Sequence, residues 1–301
     1  MGLDHVCPIC HGESVHDRSV PNWGEMRCCT SCKLVFANPM TLPESPESLF
    51  SKAYQGLSEY VGMEDYRHRI NNKDIIRFRT RTWGAYIQAM AWLKANVPRG
   101  SVVLDIGCGV GYYLAALRKK GFTPVGLEVA KGPVDMLTDQ GFEVWHGTVD
   151  SVPHNWKQPE VCISFFVMHH LQDPVGFLAT IRNKFPTASL VVVAWNQYPS
   201  PQKLTAASLP PRALAWWGSH SLRKAMEKAG YQLEVVSEPI APSEFEMPRI
   251  IRRLFPHKSR SWWYYILLSI YRAAKPVVFW PLKFWKRPRA RSNTVLVIGK
   301  P

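Results

Sequence analysis

Between residues 100 and 240 the chain alternates short apolar runs with longer stretches whose apolar positions recur every three or four residues. Residues 102–104, 124–127, 143–145, 161–165 and 190–194 read as short buried strands, separated by helical lengths. Ile76, Trp83, Ile87, Met90 and Leu93 recur at helical spacing and stop near Pro98. A glycine turn leads into a helix carrying Leu114, Ala115 and Leu117. Residues 220–229 form another helix, ended by Gly230, a residue suited to the left-handed position after a helix. Residues 231–236 and 294–298 add two further strands that close the sheet. This rhythm predicts an α/β fold, a largely parallel sheet with crossover helices.

The pattern breaks at both ends. Residues 1–42 hold five of the seven cysteines, and a joint with Pro43, Ser45, Pro46 and Ser48 reads as a linker. The expected organisation is therefore a small domain at 1–42 and a catalytic body at 50–301, interrupted at about 241–292 by a basic, aromatic insertion. The net charge of +14 looks like a nucleic-acid footprint. Its distribution changes that picture, because residues 249–291 carry twelve Lys and Arg and no acid, leaving +2 for the rest.

The first ten residues include Asp4 and His5 and reach a CxxC before any apolar stretch. That predicts a reducing, cytoplasmic setting in which cysteines are ligands or free thiols. Cys7-Pro8-Ile9-Cys10 and Cys29-Thr30-Ser31-Cys32 are paired knuckles with the thiolate spacing of a tetrahedral zinc site. Cys28 is adjacent, but only Cys29 is in register with Cys32. Four thiolates leave no open position, so the zinc is expected to be structural.

The turn Asp105-Ile106-Gly107-Cys108-Gly109-Val110-Gly111 follows the first buried strand, at the edge where open α/β sheets bind ligands. Glu128 ends the next strand, where a carboxylate can accept both hydroxyls of a ribose. A dinucleotide site would want a third glycine at 112, which is Tyr112; a purely structural glycine turn is the other alternative.

Residues 103–111 closely resemble the first motif of class I S-adenosylmethionine-dependent methyltransferases. The resemblance continues through Gly126-Leu127-Glu128, Gly147-Thr148-Val149-Asp150, residues 166–174 and Ala229-Gly230-Tyr231. It implies a Rossmann-like seven-stranded methyltransferase sheet with helices on both faces. It also implies that Asp105, Gly107, Gly109 and Gly111 hold the methionine end of the cofactor. Glu128 would take the ribose and Thr148, Val149 and Asp150 would lie along the adenine, with Val129 and Phe166 completing the set. Relatives often carry Asp at the position of Thr148. Residues 29–39 resemble the end of a zinc ribbon that precedes this domain in enzymes acting on sugars, polyketides or lipid-linked glycans. The resemblance thus implies O-methylation of a sugar, glycolipid or other small-molecule acceptor.

For the acceptor, His169 and His170 follow the strand ending near Phe165 and are the candidate catalytic residues. His170 matches the family's usual histidine and can serve as a base, or simply hydrogen-bond the loop. Residues 210–217 resemble a substrate-covering loop in which relatives often carry His where this chain has Arg212. The run from Trp262 to Tyr271 is too short to span a bilayer, and its basic flanks suit an anionic membrane surface. Packing on the domain is the bland alternative, and nucleic acid comes third. Two other readings remain open: a zinc-ribbon RNA methyltransferase, and a catalytically inactive methyltransferase-like binding subunit.

Overall fold

The computed structural model describes residues 6–54, 84–153, 156–196, 208–238 and 294–301. Its main layer is a seven-stranded sheet of order β10-β11-β8-β7-β4-β5-β6. The strands are β4 (Val102–Ile106), β5 (Thr123–Glu128), β6 (Glu143–His146), β7 (Val161–Phe165), β8 (Ser189–Trp195), β10 (Gln232–Ser237) and β11 (Thr294–Lys300). β4 pairs in parallel with β5 and β7, β5 with β6, and β7 with β8. β11 runs antiparallel between β8 and β10. Burial follows position: β7 is buried throughout, whereas β10 alternates exposed and half-buried residues, as suits an edge.

The helices are α1 (Pro46–Tyr54), α2 (Gly84–Asn96), α3 (Tyr112–Lys119), α4 (Lys131–Asp139), α5 (Pro174–Lys184) and α6 (Ser219–Lys228). Two sequence expectations change here. In α2 the buried residues are Gly84, Ala85, Ala89 and Leu93, while Ile87 is 37% exposed. Small residues let the helix approach the sheet; of the expected stripe Leu93 is buried and Met90 packs against the core, while Ile76 and Trp83 lie outside the described residues. The second change is at the joint, where Pro46 opens α1 and the Ser48 amide donates to Ser45 Oγ, capping a helix inside the expected linker.

The cysteine-rich region folds as β1 (Ser14–Val20), β2 (Gly24–Cys29) and β3 (Val35–Asn38), all antiparallel. Its sheet takes a fourth strand from far along the chain, β9 (Ala215–Trp216), paired with β3. The next residue, Trp217, bridges to Asn196 just past β8. One short segment therefore joins both sheets. The cores merge as well, since Cys7, Cys29, Leu34 and Phe36 share a buried cluster with Leu190, Val192, Ala215 and Trp217.

Residues 249–291, which carry the membrane-surface expectation, lie outside the described residues. Among the described residues no helix is long and apolar enough to cross a membrane.

Candidate functional site

A cavity of about 740 Å³ opens at the carboxyl ends of β4, β5, β7 and β8, a volume in the range of small-molecule sites. Gly107, Glu128, Val129, Thr148, Val149, Asp150 and Phe166 all lie on its wall. Gly107 has φ 75°, and an added Cβ would run into Val167, so backbone faces the cavity there. Gly109 and Gly111 also have positive φ, with Gly111 capping α3. These two and Asp105 are not among the residues that line the cavity.

Glu128 is buried, and its two carboxylate oxygens accept from the Gly109 and Ala130 amides, each at 2.9 Å. A carboxylate offers about four lone-pair positions, so acceptor capacity remains for a ligand's hydroxyls. Burial raises the Glu128 carboxyl, against the pull of its backbone donors. Burial also pushes Asp105 up to about 8, with the nearby Glu128 charge adding to it. Two buried acids on adjacent strands, β4 and β5, whose ionised forms burial disfavours, make a place that a cationic ligand would relieve.

The loop from Thr148 to Asp150 is held by Ser151, whose Oγ accepts from the Thr148 amide at 3.1 Å and donates to the Thr148 carbonyl at 2.8 Å. Val149 is buried as an apolar wall, whereas Thr148 and Asp150 are exposed at the rim.

The opposite half of the cavity holds both histidines. His169 is 6% exposed, and burial first, then the His170 and Arg212 charges, hold it well below the usual imidazole range. Burial likewise takes His170 down to about 4, opposed by its hydrogen bond to a carbonyl. That bond joins His170 Nδ1 to the Arg212 carbonyl oxygen. A carbonyl only accepts, so Nδ1 carries the proton and Nε2 is left as an acceptor. The rings of His169 and His170 lie 3.9 Å apart, and Phe50 packs edge-on against His170 at 4.8 Å.

Several wall residues escaped the sequence reading. Pro46 comes from the expected linker, Leu42 and Phe50 from the residues on either side of it, and Trp195 ends β8. Trp195 is 41% exposed, with its ring 4.5 Å from Phe166. Its position at the carboxyl end of a parallel strand was the available signal. Phe166 has φ 61°, a strained conformation for a bulky side chain, held by its amide on the Val193 carbonyl at 2.7 Å.

Away from the cavity, the sulfurs of Cys7, Cys10, Cys29 and Cys32 lie within 4.8 Å of one another. Cys7 and Cys32 are 3.5 Å apart and Cys10 and Cys29 3.4 Å, bracketing with the longer pairs the roughly 3.8 Å edge of a zinc–thiolate tetrahedron. The Ile9 and Cys32 amides donate to Cys7 and Cys29 sulfur, stabilising thiolates. The Cys28 sulfur turns instead to the Cys29 carbonyl, outside the group. The donor set suits a tetrahedral thiophilic cation.

Comparison with known proteins agrees with this geometry. A family model described as a methyltransferase domain matches residues 75–236, more than half of the chain. A Xenopus tropicalis tRNA (carboxymethyluridine(34)-5-O)-methyltransferase is 37% identical over 88 residues, covering 29% of this chain and 14% of the relative. A ubiquinone biosynthesis O-methyltransferase from a Ruegeria species is 28% identical over 107 residues, 33% of this chain and 43% of the relative. The chain thus spans less than half the length of both relatives. Among solved structures, a complex between the Haloferax volcanii Trm112 methyltransferase activator and a methyltransferase aligns with TM-score 0.53 at 18% identity. That alignment covers 78% of this chain and 97% of the other. By the matched domain, the strand order and the ligand cavity at the carboxyl ends of its parallel strands, this chain belongs to the class I S-adenosylmethionine-dependent methyltransferases.

Proposed function

We propose that the chain methylates an ionised oxygen, a carboxylate, on a modified base of RNA. The observation that carries this reading is His170: neutral, down to about 4, its Nδ1 committed to the Arg212 carbonyl. So weak a base suits an acceptor that arrives already deprotonated better than a hydroxyl that must lose a proton. Bound S-adenosylmethionine would supply a methyl group activated on a sulfonium sulfur. Glu128 would hold its ribose, the Thr148–Asp150 loop would border its adenine, and the buried Asp105–Glu128 pair favours its positive charge. The chain's work is then to orient the acceptor oxygen in line with the methyl carbon and exclude water.

On the acceptor side, Arg212 lines the wall and a guanidinium pairs well with a carboxylate. Trp195 offers an exposed aromatic face on which a base can stack, with the half-buried Phe166 beside it. The twelve basic residues of 249–291 suit phosphates, and this role replaces the expected membrane surface. Four of the curated relatives are named for an oxygen of carboxymethyluridine in tRNA. A structural zinc on Cys7, Cys10, Cys29 and Cys32 is part of the same proposal.

The second reading is a small-molecule acceptor, favoured by the apolar walls at Leu42, Phe50 and Phe177 and by relatives named for ubiquinone biosynthesis. Labelled methyl donor decides between the two. Mass spectrometry should find label on RNA bearing carboxymethyluridine and none on the same RNA with unmodified uridine. Label on a phenolic quinone precursor, with none on either RNA, would overturn the RNA reading.

A further inference from the structure

We propose that the cysteine ribbon, acting through β9, sets the position and tautomer of His170, so that metal binding at the ribbon organises the acceptor half of the cavity. This rests on the reading of His169 and His170 as the acceptor side, but its test does not. The connection is a continuous run of backbone contacts. Cys29 and Cys32 close the turn that leads into β3. β3 pairs with β9 through Val35 with Trp216 and Phe36 with Ala215. Beyond that pair, the Ala37 amide donates to the Leu214 carbonyl at 2.7 Å. The Leu214 amide in turn donates to the His169 carbonyl at 2.7 Å. Two residues earlier, the Arg212 carbonyl accepts from His170 Nδ1. Leu214 thus faces the ribbon with its carbonyl and the histidine turn with its amide.

The side chains reinforce the same seam. Leu214 and Trp216 are buried with Val20, Met26, Val35 and Ala37 of the ribbon, and the Arg18 guanidinium sits 4.8 Å over the Trp216 ring. A two-residue strand has too few ladder bonds to hold itself, so its place depends on the sheet it joins. That sheet has three short strands of its own, and its cross-link is the four-sulfur cluster. Loss of the metal should free β3 and with it residues 212–216. The cofactor half has no such dependence, because Glu128 and Gly107 are fixed by bonds within the seven-stranded sheet and its turns. Leu214 and the Arg212 carbonyl are therefore positioning groups.

The experiment compares the full-length metal-loaded protein, the chelated protein and Trp216→Ala, which opens the seam and leaves the four cysteines in place. Hydrogen exchange at the Ala37 and Leu214 amides, nitrogen NMR of the His170 ring, and calorimetry with S-adenosylmethionine are the readouts. Chelation should speed exchange at Leu214 about tenfold or more, the mark of local opening. The His170 signal should move from a single Nδ1–H tautomer to a mixture, with cofactor affinity held within about twofold. Trp216→Ala should reproduce the change while retaining its metal. Unchanged exchange at Leu214 and an unchanged His170 tautomer after metal loss would overturn the proposal. If chelation unfolds the whole chain, Trp216→Ala decides alone: a metal-loaded, cofactor-binding variant with a native His170 tautomer also overturns it. A shifted tautomer with undiminished methyl transfer would leave the coupling standing and remove His170 from the acceptor role.

Discussion

The two halves of the cavity are built in opposite ways. The half proposed for the cofactor comes from strand ends and the turns that follow them, with Gly107, Glu128 and Val149 each placed by β4, β5 or β6 of one sheet. Its defining bonds are local or between adjacent strands, such as Gly109 to Glu128 and Gly147 to the Glu128 carbonyl. The half proposed for the acceptor gathers Leu42 and Phe50 from the start of the chain, His169 and His170 from the middle, Trp195 from β8 and Arg212 from a later segment. Only tertiary packing brings those together. A site built on consecutive strand ends tolerates changes elsewhere, whereas a site assembled across long separations inherits the stability of everything it leans on.

The largest expected effect tests the cofactor half. Gly107→Ala places a Cβ against Val167 at a backbone position with φ 75°. It should cost roughly 2–4 kcal/mol, combining a left-handed conformation with overpacking. Calorimetry should show cofactor binding lost or greatly weakened; near-native affinity would mean that the turn does not approach the ligand.

Acid probes the acceptor half. His170 sits near 4 in the folded chain against an ordinary 6.5, so the unfolded chain takes up the proton first. Stability is therefore full above about pH 6.5 and falls as pH drops towards 4, by at most about 3 kcal/mol from this group. His169 is shifted in the same direction and adds to the loss. Urea midpoints at pH 7 and pH 4.5 should differ less in His170→Gln than in the parent. Equal differences would place the acid sensitivity elsewhere.

Glu128→Ala removes the proposed ribose anchor and should weaken S-adenosylmethionine by roughly 1.5–3 kcal/mol, the scale of hydrogen bonds to a charged group. Unchanged affinity in a folded variant would sink that assignment. Trp195→Ala should leave cofactor affinity alone and raise the acceptor KM, by roughly 1–2 kcal/mol if a base stacks there. An effect on the cofactor instead would move Trp195 across the boundary between the halves. The smallest effect is forecast for Cys28→Ser, whose sulfur points away from the metal cluster. Metal analysis should still find one ion per chain, and loss of that ion would show that the chosen register is wrong.

The sequence by itself determined the sheet, the glycine turn, the acid at Glu128 and the paired cysteine knuckles, because each is written in neighbouring residues. An apolar run of five residues has few ways to be buried, and a glycine with positive φ is a local requirement. What only the tertiary structure decided concerns residues that carry no local mark. The packed face of α2 runs through Ala85 and Ala89, which periodicity drawn through larger side chains passes over. Phe50 lies behind prolines and serines that look like a joint until Ser45 caps a helix. The tautomer of His170 was beyond reach for the same reason. It is fixed by a carbonyl 42 residues away, on a segment held in place by a strand of the cysteine ribbon. Local chemistry can be read along the chain, but a proton on one ring nitrogen is set by whichever acceptor the folded backbone brings beside it.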